Sequence, residues 1–136
     1  MKKLLAEFLG TALLVAVVVG SGIMATDLTQ DVGLQLLINT IATVFGLAVL
    51  ILILAPISGA HINPVVTLVD LIQGKSSVIQ FIQYVVTQVL GAISGALLAN
   101  TMFDQAIIET STKIRSGTHL YLAEIVATTG LILVIN

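Results

Sequence analysis

Seven residues, Ser58-Gly59-Ala60-His61-Ile62-Asn63-Pro64, constrain this chain more than any others, because they fall between two apolar segments of helix length. Backbone in hydrocarbon must have its hydrogen bonds satisfied, so an irregular polar stretch at membrane depth is tolerated only where it is buried in protein or lines a watery path. The stretch therefore points to a pore or a binding site.

The rest of the chain makes the surroundings a membrane. Of its 136 residues 57% are hydrophobic and 9% charged, with a mean hydropathy of +1.14, which is outside the range of ordinary soluble domains. A spanning helix needs about 20 mostly apolar residues to cross about 30 Å of hydrocarbon. Runs at residues 4–24, 34–55, 78–103 and 120–136 meet or approach that length, separated by polar loops at 25–33 and 104–118. The start Met1-Lys2-Lys3 also has the look of a signal peptide, but Glu7 interrupts the run and no small-x-small site closes it, so the first run is expected to stay as a helix.

Charge and chemistry exclude several function classes. A net charge of −2, with no basic cluster beyond Lys2-Lys3, leaves nothing for nucleic acid to bind. The absence of cysteine rules out disulfides and thiolate chemistry. The polar residues inside the membrane supply no nucleophile, metal cluster or acid–base pair, so neither an enzyme nor a cofactor is expected. Lys2, Lys3 and Lys75 fall on one side of the bilayer and Lys113 and Arg115 on the other. That bias puts the N-terminus in the cytoplasm of a multi-pass inner (plasma) membrane protein.

Within residues 56–74 the sequence predicts a re-entrant loop and half-helix. Pro56 is expected to end the second helix, and Gly59 to let the chain turn. Pro64 suits a first helical position and Asn63 the cap before it. The helix so begun runs through Val65 to Ile72 and stops near Gly74-Lys75, about ten residues or about 15 Å, half a membrane. Its N-terminal end, pointing into the bilayer, carries roughly half a positive charge and repels cations and protons. The carbonyls of Ser58 to Ile62 lack intrahelical partners and can form a ladder of acceptors, to which the Asn63 amide adds a donor; such a lining suits water, glycerol or another neutral polar solute. Two plainer readings stand beside this one: His61 as a buried histidine satisfying loop carbonyls, and Asn63 as a cap alone.

Small residues mark the helix contacts. In Gly91-Ala92-Ile93-Ser94-Gly95-Ala96 the glycines lie four apart on one face, which lets two backbones approach closely, and Gly20-Ser21-Gly22 is expected to close the first helix.

The stretch Ser58-Gly59-Ala60-His61-Ile62-Asn63-Pro64-Val65-Val66-Thr67 closely resembles the first signature loop of the aquaporin and glycerol-facilitator family, usually written SGAHxNPAVT. The resemblance extends to Ala6-Glu7-Phe8-Leu9-Gly10-Thr11 and to Tyr84, Gln88, Gly91 and Ala92, and so covers essentially the whole chain. It implies a pore lined by Gly59, Ala60, His61, Ile62, Asn63, Pro64 and Val65, with Asn63 donating to the solute. It also implies a Glu7 that braces the loop through backbone hydrogen bonds, where an interfacial Glu7 doing little is the alternative. Val65 departs from the family's alanine and adds two methyl groups beside the constriction. Counting back from Asn63, the outer selectivity position falls on Thr43, where water-selective members carry a bulky aromatic. Threonine implies a wider opening for glycerol or undissociated metalloid acids, and Gly20-Ser21-Gly22-Ile23-Met24-Ala25 resembles bacterial members linked to arsenite handling. The alternative is Thr43 as a polar contact between helices.

The run beginning Leu122-Ala123-Glu124 repeats the one beginning Leu5-Ala6-Glu7, with further matches at Thr11, Leu14 and Val17. Three crossings separate the copies, so the repeat is inverted, a recurring plan in transporters and channels. The expected fold is thus an all-α membrane protein: three transmembrane helices, one re-entrant half-helix and a fourth transmembrane helix cut at the C-terminus, a partial aquaporin-like inverted repeat. Glu124, Gln88 and Gly91 join Glu7 as expected structural supports. The family's second Asn-Pro-Ala loop and its filter arginine are not among these residues, so one copy is expected not to conduct alone. The expected partners are the lipid bilayer, a small neutral solute, and either further copies, a tetramer as in the family, or a complementing half-channel. The alternatives are a non-conducting membrane subunit or fragment of a broken channel gene, and an alternating-access transporter.

Overall fold

The structure is a computed structural model that describes residues 1–108 and 116–135. Among these the chain is entirely helical: α1 (Lys2–Leu28), α2 (Val32–Ser58), the short α3 (Pro64–Ile72), α4 (Val78–Met102) and α5 (Thr118–Ile135). Helices α1, α2, α4 and α5 are long and apolar enough to cross a membrane. The nine residues of α3 reach only about 14 Å at 1.5 Å per residue. Lys113, Arg115 and the last residue of the fourth run, Asn136, lie outside the described residues.

Helix α1 is the centre of the assembly, packing along α2 on one side and α4 on the other, while α3 lies against α4. The α1–α4 seam is a backbone-to-backbone contact. A methyl group on Gly91 would sit 2.5 Å from the Phe8 carbonyl oxygen, and one on Gly95 would overlap that of Ala12. In lipid, where helices gain little from burying apolar side chains against each other, such close approach supplies dispersion contact instead. The outer faces are apolar and open, as at Phe45 and Leu52 of α2 and Ile79 of α4. Helix α5 contributes no buried residue.

Several element ends differ from those expected. Helix α2 does not stop at Pro56 but continues to Ser58. Proline forfeits its own bond to the preceding turn, yet Gly59 N–H still closes onto the Ala55 carbonyl at 3.0 Å. The helix ends where Gly59 turns left-handed at φ 91°, a conformation open to residues without a Cβ. Gly20-Ser21-Gly22 does not close α1, which runs on to Leu28. There Asn39 of α2 donates to the Val18 carbonyl (2.8 Å) and to Ser21 Oγ (3.0 Å), tying the helices together. The loop expected at 25–33 shrinks to Thr29–Asp31, and Asp31 caps α2 by accepting from Leu34 N–H at 3.0 Å.

Helix α3 has both ends defined by local chemistry. Asn63 Oδ1 accepts Val65 N–H at 2.8 Å and Pro64 takes the first position. At the far end Gly74 is left-handed at φ 72°, Gly74 N–H bonds the Leu71 carbonyl and Lys75 N–H that of Asp70. This is the paired Schellman arrangement that stops a helix at a glycine.

Candidate functional site

The segment between α2 and α3 is folded around one carboxylate. Glu7, in the second turn of α1, is 0% exposed. Its Oε1 accepts the Ser58 hydroxyl at 2.6 Å and His61 N–H at 3.1 Å. Its Oε2 accepts Ile62 N–H and the Gln88 side-chain amide, each at 2.8 Å. A buried charge is tolerated only when it is fully hydrogen-bonded, and here four donors from the segment and from α4 meet it.

These bonds hold a backbone that would otherwise not persist. Ala60 and Ile62 are left-handed at φ 49° and 48°, a region that costs a side-chain-bearing residue on the order of 1–3 kcal/mol and is a clear outlier for a β-branched one. The conformation turns successive N–H groups inward, Ala60 N–H onto Ser58 Oγ at 3.1 Å and the next two onto Glu7. In a trans peptide the carbonyl points opposite to the N–H that follows it, and no peptide here is cis. The carbonyls of Ala60 and His61 are therefore turned away from Glu7, and that of Gly59 from Ser58 Oγ.

On that other side lies a cavity of about 630 Å³. Its wall includes Gly59, Ala60, His61, Ile62 and Asn63, with Leu14 of α1, Leu47, Ile51 and Ala55 of α2, Val66 and Asp70 of α3, Lys75, and Leu131, Val134 and Ile135 of α5. Because Asn63 Oδ1 is engaged by Val65 N–H, its Nδ2 group is the end left to donate. Capping and presenting a donor are thus compatible in one side chain.

Behind the wall is a second layer of polar contacts. The Tyr84 hydroxyl donates to the Ser58 carbonyl at 3.0 Å, and Gln88 Nε2, besides reaching Glu7, donates to Thr67 Oγ1 at 3.0 Å. Thr67, Tyr84 and Gln88 are all buried. The imidazole of His61 is held at both nitrogens, Nδ1 lying 3.2 Å from Thr67 Oγ1 and Nε2 3.1 Å from Asp70 Oδ2. Its ring meets that of Tyr84 edge-on at 5.2 Å.

The structure thus brings Gly59, Ala60, His61, Ile62 and Asn63 to one wall, with Glu7, Gln88 and Gly91 on the packed side behind it. It leaves others apart. Pro64 and Val65 are not on the cavity wall, and Val65 is 42% exposed in the first turn of α3, its neighbour Val66 facing the cavity instead. Thr43 also lies off the wall; its hydroxyl is buried and has no hydrogen-bond partner among the described residues, so it is not a polar link between helices either. Glu124 differs from its sequence counterpart Glu7: it is exposed on α5, and its carboxylate makes no hydrogen bond among the described residues.

Two residues in the site were missed by sequence reasoning, Thr67 and Asp70. An ionisable group in a membrane-embedded segment is a functional candidate by default, a signal that singled out Glu7 and applied equally to Asp70 within the apolar α3.

The family profile described as Major intrinsic protein matches residues 1–136. The chain is 50% identical over 131 residues to aquaglyceroporin AqpS of Rhizobium meliloti, an alignment covering 96% of this chain and 56% of that protein. It is 37% identical over 95 residues to aquaporin A of Dictyostelium discoideum (70% and 34%) and 40% identical over 108 residues to aquaporin-2 of Ovis aries (78% and 38%). The chain spans about half, or less, of the length of these curated relatives.

Proposed function

Starting from the membership of this chain in the major intrinsic protein family, we propose that it forms part of a passive channel for small neutral solutes: water, glycerol or an undissociated metalloid acid. One observation carries the reading. Glu7 gathers the N–H groups of His61 and Ile62 on one side of the loop, so the opposite side offers carbonyl acceptors and the Asn63 amide along a cavity. A neutral solute with both donors and acceptors exchanges its hydration for these groups. A cation approaching Asn63 meets the N-terminal end of α3 and its roughly half positive charge.

In this reading Thr43 widens the outer opening toward polyols, a role supported by its register with Asn63. The likeness to a relative named as an aquaglyceroporin supports the same choice of solute. The protein resides in the inner (plasma) membrane with Lys2, Lys3 and Lys75 on the cytoplasmic side. The wall described here is one side of the path; further helices supply the other, within a tetramer.

Proteoliposome swelling tests the proposal on the full chain at verified insertion, in water, glycerol and arsenite gradients. Flux above that of empty vesicles, reduced by Asn63→Asp, is the expected result. No flux above background sinks conduction by this chain on its own, and full flux with Asn63→Asp removes Asn63 from the path.

A further inference from the structure

We propose that Asp70 is a positioning residue that fixes His61 as the neutral tautomer with its proton on Nε2, and so removes that proton from the face presented to the cavity. The donors and acceptors around the ring determine the assignment. An ionised carboxylate only accepts hydrogen bonds, so the 3.1 Å contact between Nε2 and Asp70 Oδ2 requires the proton on Nε2. In the neutral ring proposed here Nδ1 is then an acceptor and needs a donor.

Thr67 is that donor. Its Oγ1 accepts from Gln88 Nε2 at 3.0 Å and carries one proton, which has two acceptors within reach, the Asn63 carbonyl at 3.0 Å and His61 Nδ1 at 3.2 Å. The Asn63 carbonyl also accepts Thr67 N–H at 3.1 Å and has a second lone pair for the hydroxyl; in the proposed assignment the hydroxyl proton lies on Nδ1, the acceptor with no other donor beside it. With Nε2–H on Asp70 and the Thr67 hydroxyl on Nδ1, every ring nitrogen is paired. The Gln88 amide, bonded to Glu7 at its other hydrogen, links this ring to the carboxylate that shapes the loop.

Of the groups in this network, Glu7, Thr67, Tyr84 and Gln88 are buried, and Asp70, with its side chain 24% exposed, lines the cavity beside His61. The consequence for transport rests on the channel reading: the loop wall then offers a solute backbone acceptors, with the Asn63 amide as its side-chain donor. The nitrogen assignment itself does not depend on conduction.

The test is 15N NMR of the full chain in lipid bilayers, labelled at histidine, in a His119→Gln background that leaves His61 as the one histidine of the two in the sequence. It is run at about pH 8, above the ordinary histidine range. The expected spectrum shows Nε2 protonated and Nδ1 not. Asp70→Leu should lose that single assignment and Asp70→Glu restore it. If D70L does not insert, D70N serves, since an amide offers both a donor and an acceptor and no longer selects Nε2–H. A proton on Nδ1 or on both nitrogens before substitution overturns the proposal, as does an unchanged spectrum in D70L, or in D70N where that is the variant read.

Discussion

Glu7→Gln is the sharpest perturbation of the loop, because it keeps the shape of the side chain and changes only what the two oxygens can accept. Each Glu7 oxygen accepts from two donors, and an amide replaces one oxygen by a group that accepts from neither. The less costly orientation puts the new NH₂ where Oε2 was. Gln88 can then turn its amide, since its Oε1 is buried without a partner among the described residues, and accept from the new group, at the cost of the bond its Nε2 makes to Thr67 Oγ1. Ile62 N–H has no such escape, being held against Glu7 by a left-handed residue. A buried donor left unpaired costs about 1–3 kcal/mol, and a bond to a charged acceptor is worth about 1.5–3 kcal/mol. After Gln88 turns, a net loss of about 2–4 kcal/mol remains on the loop. At 1.4 kcal/mol per factor of ten this raises local opening by roughly 30- to 700-fold. Hydrogen exchange in nanodiscs reads it as lost protection at the amides of Ala60, His61 and Ile62, with α1 and α4 as internal controls. Loop exchange within about two-fold of the parent, at equal insertion, would refute the assignment of the carboxylate as the loop's organiser.

Two further substitutions probe the frame around the loop. Gly95→Ala drives a methyl group into the Ala12 carbonyl and should weaken the α1–α4 seam by about 1–3 kcal/mol, as overpacking does; Gly130→Ala on α5, with nothing within 4 Å, should be neutral or slightly stabilising, and steric trapping in bicelles compares the two. Tyr84→Phe removes the hydroxyl that reaches the Ser58 carbonyl and should cost about 0.5–1.5 kcal/mol in the same assay while leaving insertion intact.

Much of the fold is legible because membrane helices announce themselves by length and polarity. The half-helix was equally plain: Asn63-Pro64 is a start and Gly74-Lys75 a stop, and the structure uses both through local hydrogen bonds. Helix ends outside the hydrocarbon were less so. A hydropathy run marks where lipid ends, and α1 continues beyond it to Leu28 because nothing in Ala25 to Leu28 breaks a helix. Pro56 misled for a related reason, since its cost falls on one preceding bond and two further residues can still follow in the helix. The repeat of Leu5-Ala6-Glu7 at Leu122-Ala123-Glu124 is real in sequence, but likeness of residues does not create likeness of partners, and Glu124 stands exposed.

By itself the sequence determined the membrane as solvent, the helices and the place where the backbone must leave helical geometry, because each follows from hydropathy and from residues that start, stop or turn a chain. Tertiary structure decided which way the loop faces. Glu7 and Ser58 lie 51 positions apart and Glu7 and Gln88 81 apart, and only packing of α1 against α4 through Gly91 and Gly95 brings them together. Once the carboxylate is there it claims the N–H groups of His61 and Ile62, and planar peptides then send the carbonyls to the opposite side, onto the cavity.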